Sequence, residues 1–217
     1  MRELAGGLWW WTARHPEWHP GNWGARVGCY VLVEPGRTVV VDPLAPAGDD
    51  EFWPRLDGIV SGEVVVVITI PYHVRSAEAV CARYPGTVMW GHRNAAKRLV
   101  RKSIFRELAP GAEPAGVRAF AIGKPRRSEM PLLVESHGAL VFGDAVVATE
   151  QGLRVWSTEP VDERRRQSYA DRFVPTVEPL LAEDFDRVLV THGPPVTSGG
   201  RKALADALRE PPWYHHG

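Results

Sequence analysis

Apolar positions along this chain come in short bursts separated by polar turns, and the bursts alternate between two periods. Residues 26–33 (Arg-Val-Gly-Cys-Tyr-Val-Leu-Val) and 38–42 (Thr-Val-Val-Val-Asp) flank Glu34-Pro-Gly-Arg37. Two β-rich runs around a Pro-Gly turn predict a hairpin. A polar, acidic loop over 46–53 leads to a short helix at 53–60. Residues 64–70 are the most apolar run, and both faces look buried, which predicts a central strand. Ser76 to Tyr84 switches to helical spacing, with Ser76 as the candidate N-cap. Thr87–Trp90 predicts a strand and Asn94–Glu107 a basic helix. Strands are predicted at 117–122, 130–135 and 139–147, the last two joined by Ser136-His-Gly138. The stretch 161–181 is mainly helical, broken near Pro175 and Pro179. A strand at 187–191 and a helix at 200–209 close the chain.

Strands, then β-α-β, then strands, then α-β-α is neither a doubly wound nor an all-β order. Two mixed sheets covered by helices account for it, an α/β (α+β) four-layer αββα sandwich. The 217 residues suit a single domain, with an aromatic-rich segment over 1–25. That segment holds Trp9, Trp10, Trp11, Trp18 and Trp23. It is expected as a flap packed over the sandwich or, alternatively, as a lip over a ligand.

Charge adds an exclusion. Lys+Arg and Asp+Glu are equal at 26 each. Neither nucleic acid nor an anionic membrane is the expected partner. The basic runs at 93–106 and Arg164–Arg166 are expected to be solvated helix faces. No apolar run reaches the ~20 residues of a membrane span, and no signal peptide is evident. Cys29 and Cys81 lack metal or redox spacing and fit buried thiols in a reducing compartment. A cytoplasmic location is the expectation, and oligomeric state is open.

The chemistry is expected at strand ends. Val64-Val-Val-Val-Ile-Thr69 runs into Ile-Pro-Tyr-His-Val-Arg75, Ala139-Leu-Val-Phe-Gly runs into Asp144, and Val188-Leu-Val-Thr runs into His192. Together with Val39-Val-Val-Asp42, these segments resemble the strand ends of the metallo-β-lactamase fold over roughly residues 26–200. The resemblance implies a hydrolase ancestry with two divalent ions held by histidines and aspartates, which activate a water. It also implies a Thr-His-x-His-x-Asp-His motif where this chain has Thr69-Ile-Pro-Tyr-His-Val-Arg75. Ile70, Tyr72, Val74 and Arg75 then stand at ligand positions, and Lys124 stands at a further histidine position. Only Asp144 and His192 keep the ligand type, and Asp42 becomes a carboxylate orienting cleft loops.

A binuclear site is therefore not expected. Arg75 is expected to pair with Asp144 and replace the metal charge. Arg75, Tyr72 and Lys124 become candidate ligand-binding residues, and Asp144, His192 and His73 candidate catalytic ones. The main expectation is a cofactor-free cleft that binds a small anionic ligand or a partner. The alternative is one zinc, iron or manganese ion on His73, Asp144 and His192, hydrolysing an ester, lactone or thioester. A purely structural protomer with an aromatic contact patch is a third reading. His15, His19 and the Trp213-Tyr-His-His216 tail are expected not to bind metal, and the tail's histidines to be exposed.

Overall fold

The structure, a computed structural model, describes residues 1–20 and 22–215; His216 lies outside them. One sheet has seven strands in sequence order: β1 (Arg2–Ala5), β2 (Leu8–Arg14), β3 (Arg26–Glu34), β4 (Arg37–Val41), β5 (Glu63–Ile68), β6 (Val88–Gly91) and β7 (Phe105–Glu107). Pairing is antiparallel from β1 to β4 and parallel from β4 to β7. The parallel strands are joined by crossovers carrying α1 (Phe52–Asp57) and α2 (Ala77–Arg83).

The second sheet contains β8 (Val117–Ala119), β9 (Leu132–Val134) and β10 (Ala139–Phe142). It is completed by a later strand, Arg187–Val190, parallel to β10. Between them in sequence come the separate hairpin β11 (Val146–Thr149) and β12 (Gly152–Val155), then α3 (Glu163–Arg172) and α4 (Val174–Val177). The later strand is β13, and α5 (Gly200–Arg209) follows it.

The period-2 alternation of the valine runs sets the layers. In β5, Val64, Val66 and Ile68 face an outer core with Phe52 and Leu56 of α1 and Ala77 and Val80 of α2. Val65 and Val67 face inward, where they share a core with Leu132, Val141 and Leu189 of the second sheet. Leu140 and Phe142 of β10 and Val188 and Val190 of β13 face outward onto Tyr169, Phe173, Leu204 and Ala207 of the helices. This three-core arrangement is the αββα sandwich expected from the sequence. Tyr30 ties the sheets together: its buried hydroxyl donates to Val190 O at 2.7 Å and accepts from Val190 N at 3.0 Å.

Several elements differ from expectation. The basic segment 94–107 is not one helix: 3-10 turns at Arg93–Arg98 and Lys102–Ile104 lead into strand β7. Its only buried side chains before β7 are Ala95 and Leu99, so no apolar stripe supports a long helix. The 139–147 strand breaks at Gly143-Asp144 into β10 and β11. Ser76 precedes α2 but makes no cap; its Oγ accepts from Ala45 N at 2.9 Å. The N-terminal segment divides in two. Residues 2–14 form the edge hairpin β1–β2, with Trp11 buried against Phe52 at 5.5 Å, and Trp18 and Trp23 continue into a cleft wall. Cys29 and Cys81 are free, buried thiols.

Candidate functional site

The cleft opens at the ends of β4, β5, β10 and β13, where α/β sheets place ligands. Beyond β4, Asp42 takes a left-handed backbone, φ 48°, which a short polar side chain tolerates better than most. This turns its buried carboxylate back across the end of β5. Oδ1 accepts from Thr69 N at 2.8 Å, and Oδ2 accepts from the Thr69 hydroxyl. The same Oδ2 lies 2.9 Å from His73 Nδ1. Asp42 thus orients the loop, as the resemblance implied.

His73 sits in a 3-10 turn, Pro71–Val74. Pro71 favours a tight helical start, and His73 N closes the turn on Ile70 O at 2.9 Å. The turn points the imidazole inward, where its side chain is 4% exposed. Its Nε2 lies 3.3 Å from Asp144 Oδ1, and His192 Nε2 lies 3.6 Å from the same oxygen. The backbone of Asp144 is fixed separately. Its N–H and that of Gly143 donate to the two oxygens of Glu129 at 3.0 and 2.8 Å. Gly143 is required there, because a Cβ would come within 2.6 Å of Thr69 Oγ1. His192 is wedged between Trp156 and Trp23, with ring centroids at 5.1 and 5.4 Å.

The electrostatics follow from this crowding. Burial alone would lower the His73 pKa, and Arg75 adds to that, but the carboxylates of Asp144 and Asp42 outweigh both and raise it. Burial would raise the Asp144 pKa, yet His73, His192 and Arg126 hold it well below the usual carboxylate range. His192 is pushed down to about 4, first by burial and then by His73 and Arg75, against the opposing pull of Asp144. Glu129 is pushed up to about 7 by burial and by Asp144, with Arg126 opposing. The arrangement is a chain, Asp42–His73–Asp144–His192, with the His73 imidazole between two carboxylates.

The pairing of Arg75 with Asp144 is not formed. Asp144 Oδ1 instead faces the two histidine Nε2 atoms. Arg75, itself at φ 38°, donates from Nη1 to Asp42 O at 3.4 Å, and its buried Nε has no partner. It still lines the cleft. Lys124 does not line it; it belongs to a different cavity beside α3. Tyr72 stands at the cleft mouth, 61% exposed, beneath the Arg98 guanidinium at 4.2 Å. The C-terminal tail is not simply exposed: His215 lines the cleft, and Trp213 exchanges backbone hydrogen bonds with Val155 and Ser157.

Two groups escaped the sequence reading. Glu129 follows Arg126-Arg-Ser in a polar loop, with no periodicity to flag it. Arg126 reaches Trp156 O at 3.1 Å and stacks 5.2 Å over that ring.

The donor set does not fit a binuclear centre. Ile70 and Val74 are buried aliphatic side chains at two ligand positions. Among the described residues, no group of three or more His, Cys, Asp or Glu side chains is placed to hold a metal ion.

No family model matches this chain, and no curated protein matches it in sequence. Solved structures do match. A metallo-β-lactamase from Erythrobacter litoralis with β-mercaptoethanol in its active site superposes with a TM-score of 0.63 at 17% identity, over 96% of this chain and 93% of that one. A metallo-β-lactamase from Pseudomonas aeruginosa in its mono-zinc form gives 0.61 at 15%, over 95% and 93%. A metallo-β-lactamase family protein from Thermus thermophilus gives 0.60 at 14%, over 95% and 80%. The chain has the metallo-β-lactamase fold.

Proposed function

We propose that this hydrolase-related fold carries a metal-independent cleft for a small anionic organic ligand. The observation that carries the reading is His73, held with Nδ1 2.9 Å from Asp42 and Nε2 3.3 Å from Asp144. An imidazolium there balances the buried carboxylates that metal ions balance in enzymes of this fold. The cavity is about 230 Å³. Trp18, Trp23 and Trp156 supply apolar walls, and Arg75, whose side chain lines the cleft, supplies the guanidinium anchor for a carboxylate or similar group.

The second reading is a one-ion hydrolase of an ester, lactone or thioester using His73, Asp144 and His192. It is favoured by one observation: Asp144 Oδ1 is buried without a hydrogen bond while two imidazole nitrogens face it. Elemental analysis of protein purified without chelator or affinity tag separates the two. The metal-free reading expects no stoichiometric metal. About one zinc, iron or manganese per chain, lost on His192→Ala, overturns it in favour of the hydrolase. With metal absent, Arg75→Gln should weaken binding of small aromatic carboxylates about tenfold, a charge-assisted hydrogen bond being the interaction removed. Unchanged affinity removes Arg75 from the site.

A further inference from the structure

The cavity that holds Lys124 is larger than the cleft, about 640 Å³, and is built differently. It lies between the 123–127 loop and α3. Lys124, Arg127, Arg164, Arg165 and Arg172 line it against a single carboxylate, Asp162. Asp162 is committed, since its Oδ1 accepts from Arg165 N at 2.7 Å and caps α3. Arg165 is paired with Glu159. Among the described residues, Lys124, Arg127, Arg164 and Arg172 form no ion pair. Trp156 links the two regions: it lines the cleft, and its carbonyl accepts from the hydroxyl of Tyr169, which lines the basic cavity.

We propose that this cavity is a second binding site, distinct from the cleft, for a compact organic phosphate carrying two or more phosphoryl groups. A chain with equal numbers of acidic and basic residues has gathered unpaired cations onto one concave surface, and like charges so placed repel one another until an anion joins them. Guanidinium forks match phosphate oxygens in pairs. The volume falls in the range of small-ligand sites. The loop is preorganised: Gly123 N donates to Thr176 Oγ1 at 2.7 Å, and a Cβ on Gly123 would strike Arg172 O at 1.8 Å. Glu159 and Glu163 flank the site on α3 and its approach. A long polyanion crossing the cavity meets those carboxylates, whereas a compact one does not.

The test is calorimetric titration of the full chain with inorganic pyrophosphate and with tripolyphosphate at fixed ionic strength. Three proteins are compared: the parent, the double variant Arg127→Gln/Arg164→Gln, and the cleft variant Arg75→Gln. The expected result is a single saturable site in the parent, weakened at least about tenfold in the double variant and unchanged in Arg75→Gln. Absence of saturable binding overturns the proposal. So does equal affinity in the double variant. Loss of binding in Arg75→Gln alone also overturns it, and assigns the anion to the cleft. Single-stranded RNA binding more tightly than tripolyphosphate at the same salt overturns the choice of a compact ligand.

Discussion

At the residue scale, the site depends on how few atoms hold each ionisable group. Glu129 and His192 both neighbour Asp144, and their shifts oppose each other. Glu129 is raised from 4.5 to about 7, so the folded chain binds the extra proton across that window, and stability falls as pH rises through it. His192 is lowered from 6.5 to about 4, so the unfolded chain binds the extra proton there, and stability rises with pH. Between about 4.5 and 6.5 the two offset one another. His73, with a raised pKa, loses its contribution as pH climbs above its ordinary value. Glu129→Gln should therefore steepen the rise of melting temperature between pH 4.5 and 6.5. A slope equal to the parent's means that burial does not raise Glu129 as described. Gly143 is the other tight point. Gly143→Ala drives a methyl against Thr69 Oγ1 and should cost about 1–3 kcal/mol, measurable by urea unfolding. A neutral substitution means that the Asp42–Thr69 bond yields instead.

At the scale of elements, legibility tracked the apolar pattern. The runs at 26–34, 37–41, 63–68 and 187–190 became strands because alternate side chains enter separate cores. The segment 94–107 has high helix propensity in its charged residues but almost nothing to bury, and pairing of Phe105–Glu107 with β6 prevailed over propensity. Trp9-Trp-Trp11 was equally ambiguous, because consecutive large aromatics show no period. The edge of β3 resolved them into a strand, with Trp9 and Trp11 on one core and Trp10 on the other. The 3-10 turn at Pro71–Val74 had the largest consequence. It buried His73 and left Tyr72 exposed at the cleft mouth, and no spacing rule distinguishes the two.

At the scale of the whole molecule, the cleft is a seam between two sheets whose strands approach it from distant parts of the chain. The Tyr30 hydroxyl and the bond from Gly28 N to Thr191 O at 2.6 Å hold that seam at the His192 end. Tyr30→Phe leaves the buried N–H and C=O of Val190 without that partner and should cost about 2 kcal/mol. In a chain of this size, that lowers the melting temperature by roughly 4–8 °C. A change under about 1 °C means that the seam does not depend on this bridge.

The chain's own order of apolar runs determined the four layers, since burial period is a local property that survives any rearrangement of loops. It also placed Asp42, His73, Asp144 and His192 near strand ends, whereas the reading of Ile70 and Val74 as former ligand positions came from resemblance alone. Pairing between charges was decided only in three dimensions. Arg75 goes to a backbone carbonyl, Asp144 takes two histidines, and Lys124 leaves for a basic cavity on α3. The reason is one of length. A charged side chain selects its partner over a few ångströms, and that choice is set by backbone angles such as those of Asp42 and Arg75, which the identity of neighbouring residues does not specify.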